Sequence, residues 1–211
     1  MKTDDLISLL AEDAPVRMKL GRIVAYALAA GIAISAIILI STIGIRHNMP
    51  DAIETARVIF KIGATLVLAI AASSMVFQIG RPAAPLKARG LLLLVPLALV
   101  ATAVIVEMAM VPADGWRSRM MGNNARFCVM FIPVLALAPL VAFMIALRNG
   151  APDNPGLTGA VAGLAAGGIA AAIYAWHCPD DSPLFLATWY TLAIAIVTTA
   201  GYFAGRRLLR W

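Results

Sequence analysis

Polar chemistry is thin in this chain. Charged residues make up 13% of its 211 positions, and it holds only two histidines and two cysteines. Cys128 and Cys178 stand 50 positions apart, so no C-x-x-C pair exists. No Walker-type phosphate loop, zinc motif or other pattern with catalytic spacing occurs. Nor is there an internal repeat of the kind transporters show. These absences argue against an enzyme and against a resident cofactor. The stretches between apolar segments are short, which leaves no room for a second domain.

What is present is apolar. Six runs fill most of the chain: Leu20–Gly44, Ile62–Ile79, Gly90–Val111, Phe127–Leu147, Gly156–Trp176 and Leu184–Ala204. At about 1.5 Å of rise per residue, roughly 20 residues of helix cross the ~30 Å hydrocarbon core. Lipid cannot hydrogen-bond a bare backbone, so each run must be helical. With 62% hydrophobic residues and a mean hydropathy of +0.88, the expected fold is all-α, a polytopic bundle of six transmembrane helices. The expected division is an amino-terminal segment over 1–19, a membrane domain over 20–205 and a basic tail over 206–211. Pro96 and Pro133 predict kinks in the third and fourth helices. Gly159, Gly163 and Gly167 form a ladder of small residues in the fifth helix, and Ala27, Gly31 and Ser35 a weaker one in the first. Packing within the chain is the expected use of both, with a homodimer face as the alternative.

Basic residues set the orientation. Six spans place both termini on one side, and that side would carry eleven of the 17 Lys and Arg residues. Arg46, Arg57, Lys61, Arg117, Arg119 and Arg126 would lie opposite. Both termini are therefore expected in the cytoplasm. The pI of about 9.8 needs no nucleic acid, because cationic loops facing anionic lipid headgroups account for it. No cleavable signal is expected, since the first apolar run begins only at Leu20.

Ahead of that run, Thr3–Ala14 reads as a short amphipathic helix. Thr3 suits the N-cap, and Asp4 and Asp5 suit the positive end of the helix dipole. Leu6, Leu9, Leu10 and Asp13 share one face, with Ile7 beside it, and Pro15 ends the helix. Interfacial anchors usually carry a basic polar face, whereas this one is acidic. Docking of the leucines into the groove of a soluble partner is the expected use.

Both cysteines and both histidines fall on the opposite side. Cys128 opens the fourth helix and Cys178 closes the fifth, beside His177, with His47 after the first. In an oxidising compartment such a thiol pair can cycle between dithiol and disulfide. It can equally ligate a soft metal, with His177 or a methionine as a further ligand. A permanent structural disulfide and inert packing also stay open. His47 reads as a solvated interfacial residue. Glu107 is costly inside a span, so it marks either function or a structural partner among Arg117, Arg119 and Arg126. Six methionines (Met49, Met108, Met110, Met120, Met121 and Met130) lie near the same face.

These regions carry a resemblance. Thr3-Asp4-Asp5-Leu6-Ile7, Leu10-Ala11, Asp13, Pro15-Val16, Arg81-Pro82, the isolated Cys128, and Tyr174 with His177-Cys178-Pro179-Asp180-Asp181-Ser182-Pro183 and Trp189-Tyr190 resemble the NrsF-type anti-sigma factors of proteobacteria. The resemblance covers nearly the whole chain. It implies a multi-pass inner-membrane protein that is not an enzyme. Its cytoplasmic amino-terminal region would hold an extracytoplasmic-function sigma factor inactive. It further implies that oxidant or heavy-metal stress reaches Cys128 and Cys178 and releases that partner. The rival readings are a quinone-linked membrane thiol oxidoreductase, and a small transporter or a haem-binding protein using His47 and His177. The first normally needs a C-x-x-C pair, and the second tends to show polar or broken helices at the midplane.

Overall fold

The computed structural model describes residues 19–81 and 86–210. Asp4, Asp5, Leu6, Ile7, Leu9, Leu10 and Asp13 lie outside the described residues, and with them the expected partner-binding helix. Among the described residues the fold is all-helical, with six helices long and apolar enough to cross a membrane. They are α1 (Leu20–Thr42), α2 (Ala56–Ile79), α3 (Arg89–Met110), α4 (Ala125–Leu147), α5 (Pro155–Tyr174) and α6 (Pro183–Leu208). The short helices Met49–Ala52 and Ala113–Met121 lie in the α1–α2 and α3–α4 connections. Those connections share one end of the bundle with the α5–α6 loop.

Helix bounds differ from the apolar runs where polar residues are tied down. α2 begins at Ala56 rather than Ile62, so Arg57 and Lys61 sit on its first two turns instead of in a loop. Hydropathy ends a run at a cation, but a helix continues through one that has partners. α3 is interrupted at Leu93, between helical stretches Leu86–Leu92 and Leu94–Met110. The break falls one turn before Pro96, which has no N–H to offer the Leu92 carbonyl. α4 carries a second proline, Pro139, beside Pro133. α6 opens with a π-turn over Leu186–Tyr190, a form that is uncommon and often local to functional sites.

α5 is the centre of the bundle, and its partner is α6. A β-carbon on Gly159 would lie 2.7 Å from the Gly205 Cα, and one on Gly163 would lie 2.9 Å from the Thr198 Cα. The glycine ladder is therefore used inside the chain, with Gly201 and Gly205 supplying its other half. Helices in lipid gain nothing from hiding apolar surface from one another, so this close approach is what binds them. α1 meets α4 in the same manner. Gly31 leaves room for Pro139, and Ser35 Oγ donates to the Leu135 carbonyl at 2.7 Å. α3 stands off, and a groove of about 910 Å³ separates it from α2.

Candidate functional site

The cysteines arrive from two neighbouring helices. α4 and α5 are joined by a short connection at the far end, so the start of α4 and the end of α5 share the opposite end. Cys128 lies on the first turn of α4, its N–H bonded to the Asn124 carbonyl at 3.0 Å. Cys178 follows α5 in a loop, its N–H bonded to the Tyr174 carbonyl at 3.1 Å. Their sulfurs approach to 3.7 Å, and both residues are fully buried. Tyr174 and Tyr190, with rings 6.1 Å apart, pack around the pair. A disulfide would require the sulfurs to close to about 2.05 Å.

The loop that carries Cys178 is held by buried charge. Lys61 Nζ donates to the Cys178 carbonyl at 2.6 Å, to Asp181 Oδ1 at 2.5 Å and to the Asp180 carbonyl at 3.4 Å. Only 1% of Lys61 is exposed. A buried ammonium must satisfy its three donors, and here one loop supplies all three acceptors. Arg46 Nη1 donates to Asp181 Oδ2 at 2.9 Å and reaches the Cys178 carbonyl at 3.4 Å. Asp180 turns the other way. Its carboxylate accepts from the backbone N–H of Asn124 at 2.8 Å, that of Asn123 at 3.2 Å and Asn124 Nδ2 at 3.1 Å. It thus occupies the positive end of α4 and ties the loop of Cys178 to the helix of Cys128. Gly122, at φ +54, permits this approach, since a β-carbon there would lie 2.9 Å from Asp180 Cγ. The hydrogen bond with Cys128 holds the Cys178 thiol below the ordinary thiol range. Burial opposes that shift, and the Lys61 ammonium reinforces it.

A second cluster pins the same loop from the other side. Glu107 of α3 is buried and accepts from Ser182 Oγ at 2.7 Å, the Leu184 N–H at 3.0 Å and Arg119 Nη1 at 3.1 Å. Arg57 Nη2 lies 3.8 Å away. Of the three arginines expected as partners, Arg119 is the one that pairs, and the acid anchors α3 to the start of α6.

His177 does not turn toward the sulfurs. Its Nδ1 lies 2.9 Å from the Gly44 carbonyl, and its ring packs against Tyr174. Among the described residues, no three His, Cys, Asp or Glu side chains form a group that could hold a metal ion. His47 is exposed in the α1–α2 connection. The methionines do not gather at the thiols either. Met110, Met120, Met121 and Met130 are exposed, and Met49 packs with Val58 in a separate small cluster.

A family model described as NrsF, negative regulator of sigma F, matches residues 9–211. The chain belongs to the NrsF family. It is 33% identical over 214 residues to "Anti-sigma-F factor NrsF" of Caulobacter vibrioides, covering 100% of both chains. It is 31% identical over 215 residues to "Probable anti-sigma-F factor NrsF" of Azospira oryzae, again covering 100% of both. No solved structure matches.

Sequence reasoning on this NrsF chain missed the holders of the thiol loop: Lys61, Arg46, Asp180 and Asp181. One signal was available. Lys61 directly precedes an apolar run, and Asp180-Asp181 is an acidic pair beside Cys178. This NrsF site brings two thiols into contact, one on the first turn of α4 and one on a loop tied down from both sides.

Proposed function

We propose that this NrsF-family protein is an anti-sigma factor of the bacterial inner membrane, a regulator rather than an enzyme. Its termini face the cytoplasm. Residues 1–19 hold an extracytoplasmic-function sigma factor, with Leu6, Ile7, Leu9 and Leu10 buried in its groove and Asp4, Asp5 and Asp13 meeting its basic residues. Cys128 and Cys178 are the periplasmic input. The observation that carries this reading is the 3.7 Å contact between the only two thiols of the chain. An oxidant that joins them, or a thiophilic metal that bridges them, shifts the start of α4. α4 packs against α1 at Pro139 and Gly31, and the partner-holding segment precedes α1 in the sequence. A bias of about 4 kcal/mol from closing such a loop is enough to move a two-state packing almost completely.

A regulon reporter tests both halves. Deleting residues 2–14, or changing Leu6 and Leu10 to Asp, should switch the regulon on without stress, because a charge forced into a buried contact costs several kcal/mol. Repression that survives the deletion refutes the binding segment. Cys128→Ser or Cys178→Ser should keep repression and lose the response to oxidant. Full induction of the double variant refutes the sensing pair.

A further inference from the structure

We propose that Lys61 is a positioning residue that makes Cys178, rather than Cys128, the thiol that attacks an oxidant. This rests on the reading of the pair as an oxidant sensor and assigns roles within it. The two cysteines touch, yet the cations approach from the Cys178 side. Cys178 has the Lys61 ammonium 2.6 Å from its own carbonyl oxygen, with Arg46 reaching the same oxygen at 3.4 Å. Cys128 has the start of α4, but that positive end is already occupied by the Asp180 carboxylate. The other groups facing Cys178 are Asp181, which is shared between Lys61 and Arg46, the Asp180 carboxylate, which opposes a thiolate at either sulfur, and the phenols of Tyr174 and Tyr190. Of these groups the Lys61 ammonium is the one that favours a thiolate at Cys178, and the thiolate is the nucleophile in thiol oxidation.

The chemistry follows from that asymmetry, with a hydroperoxide as oxidant. The Cys178 thiolate attacks one peroxide oxygen. An S–O bond forms, the O–O bond breaks, and the alcohol leaves with a proton. The Cys128 sulfur then attacks the Cys178 sulfenic acid. The S–S bond forms, the S–O bond breaks, and hydroxide leaves as water with the Cys128 proton. Two thiols and one hydroperoxide thus give one disulfide, one alcohol and one water.

Treating the purified full chain in lipid nanodiscs with tert-butyl hydroperoxide, and reading products by mass, tests the assignment. The Cys128→Ser chain should gain oxygen at Cys178. The Cys178→Ser chain should keep Cys128 as a thiol, reacting at least about tenfold more slowly. In the chain with both cysteines, Lys61→Met should slow disulfide formation about tenfold near neutral pH and raise the midpoint of its pH–rate profile by about one unit. Lys61→Arg should restore both. Should Lys61→Met not fold, Asp181→Asn, which removes the carboxylate offsetting the two cations, should lower that midpoint. Equal oxidation of the two single-cysteine chains overturns the proposal, as does a midpoint that ignores both substitutions. The readout is sulfur chemistry and not gene expression. A regulon that ignores oxidant while this pattern holds refutes the sensing function and leaves the assignment standing.

Discussion

α5 and α3 are both apolar enough to span a bilayer, yet they are kept in place by opposite means. α3 has the higher mean hydropathy, 2.5 against 1.7, but only 11% of its apolar stretch is buried inside the protein against 78% for α5. Hydropathy here measures contact with lipid, not depth in the fold. α5 is rich in glycine and alanine because its neighbours need its backbone surface. α3 is rich in leucine and valine because lipid covers most of it. What holds α5 is close fit, and what holds α3 is polar contact near its two ends: Glu107 at one, and the bond from Arg89 Nη1 to the Ser74 carbonyl at the other.

The contrast breaks first at the close fit. Gly205→Leu would drive a side chain into the backbone of α5 and is expected to destabilise the protein by about 3 kcal/mol or more. Leu97→Ala on the lipid face of α3 should stay within about 0.5 kcal/mol. Thermal unfolding in detergent compares them, and similar losses would erase the distinction. A smaller effect is expected at the polar anchor. Glu107→Gln keeps the shape but removes the charge facing Arg119, at a cost of about 2 kcal/mol. Hydrogen exchange should rise in α3 and not in α5. A rise spread evenly over all helices would mean that Glu107 supports the whole bundle. The smallest effect is at the break in α3. Pro96→Ala gives the Leu92 carbonyl a donor and should change stability by less than about 1 kcal/mol, read as a small rise in Tm.

The spans were legible because lipid leaves a backbone only one way to satisfy itself. Glu107 was legible as an expensive group, and its partner Arg119 lies only 12 positions on. Lys61 was less so: it directly precedes an apolar run, but its carboxylate lies 120 positions away and nothing local names that partner. His177 misled through adjacency. It follows α5 in a turn that aims successive side chains apart, so the residue next to Cys178 in sequence faces Gly44 instead. The methionine group misled for a different reason, since side chains at one membrane depth need not share one side of the bundle. The second half of the α5–α6 seam, Gly201 and Gly205, was overlooked because it sits beside Tyr202 and Phe203, which draw attention to the exposed face of α6.

The wide separation of Lys61 from Asp181 also sets an order of events during synthesis. The lysine enters the membrane with α2, but its acceptors are made 117 to 120 residues later. At roughly 5–20 residues per second, that is a wait of about 6–24 s. Through that interval Lys61 has no loop to bind, and Glu107 lacks Ser182 for 75 residues of its own. The half-made protein therefore holds a lysine without its loop acceptors and an acid that has Arg119 but not yet Ser182 or the Leu184 N–H. Arrival of the residues between Cys178 and Leu184 supplies acceptors or donors to both charges together, before α6 closes on α5. Chains cut short before Asp181 should turn over faster in pulse-chase than the full chain, and equal half-lives would show that the border charges find other partners.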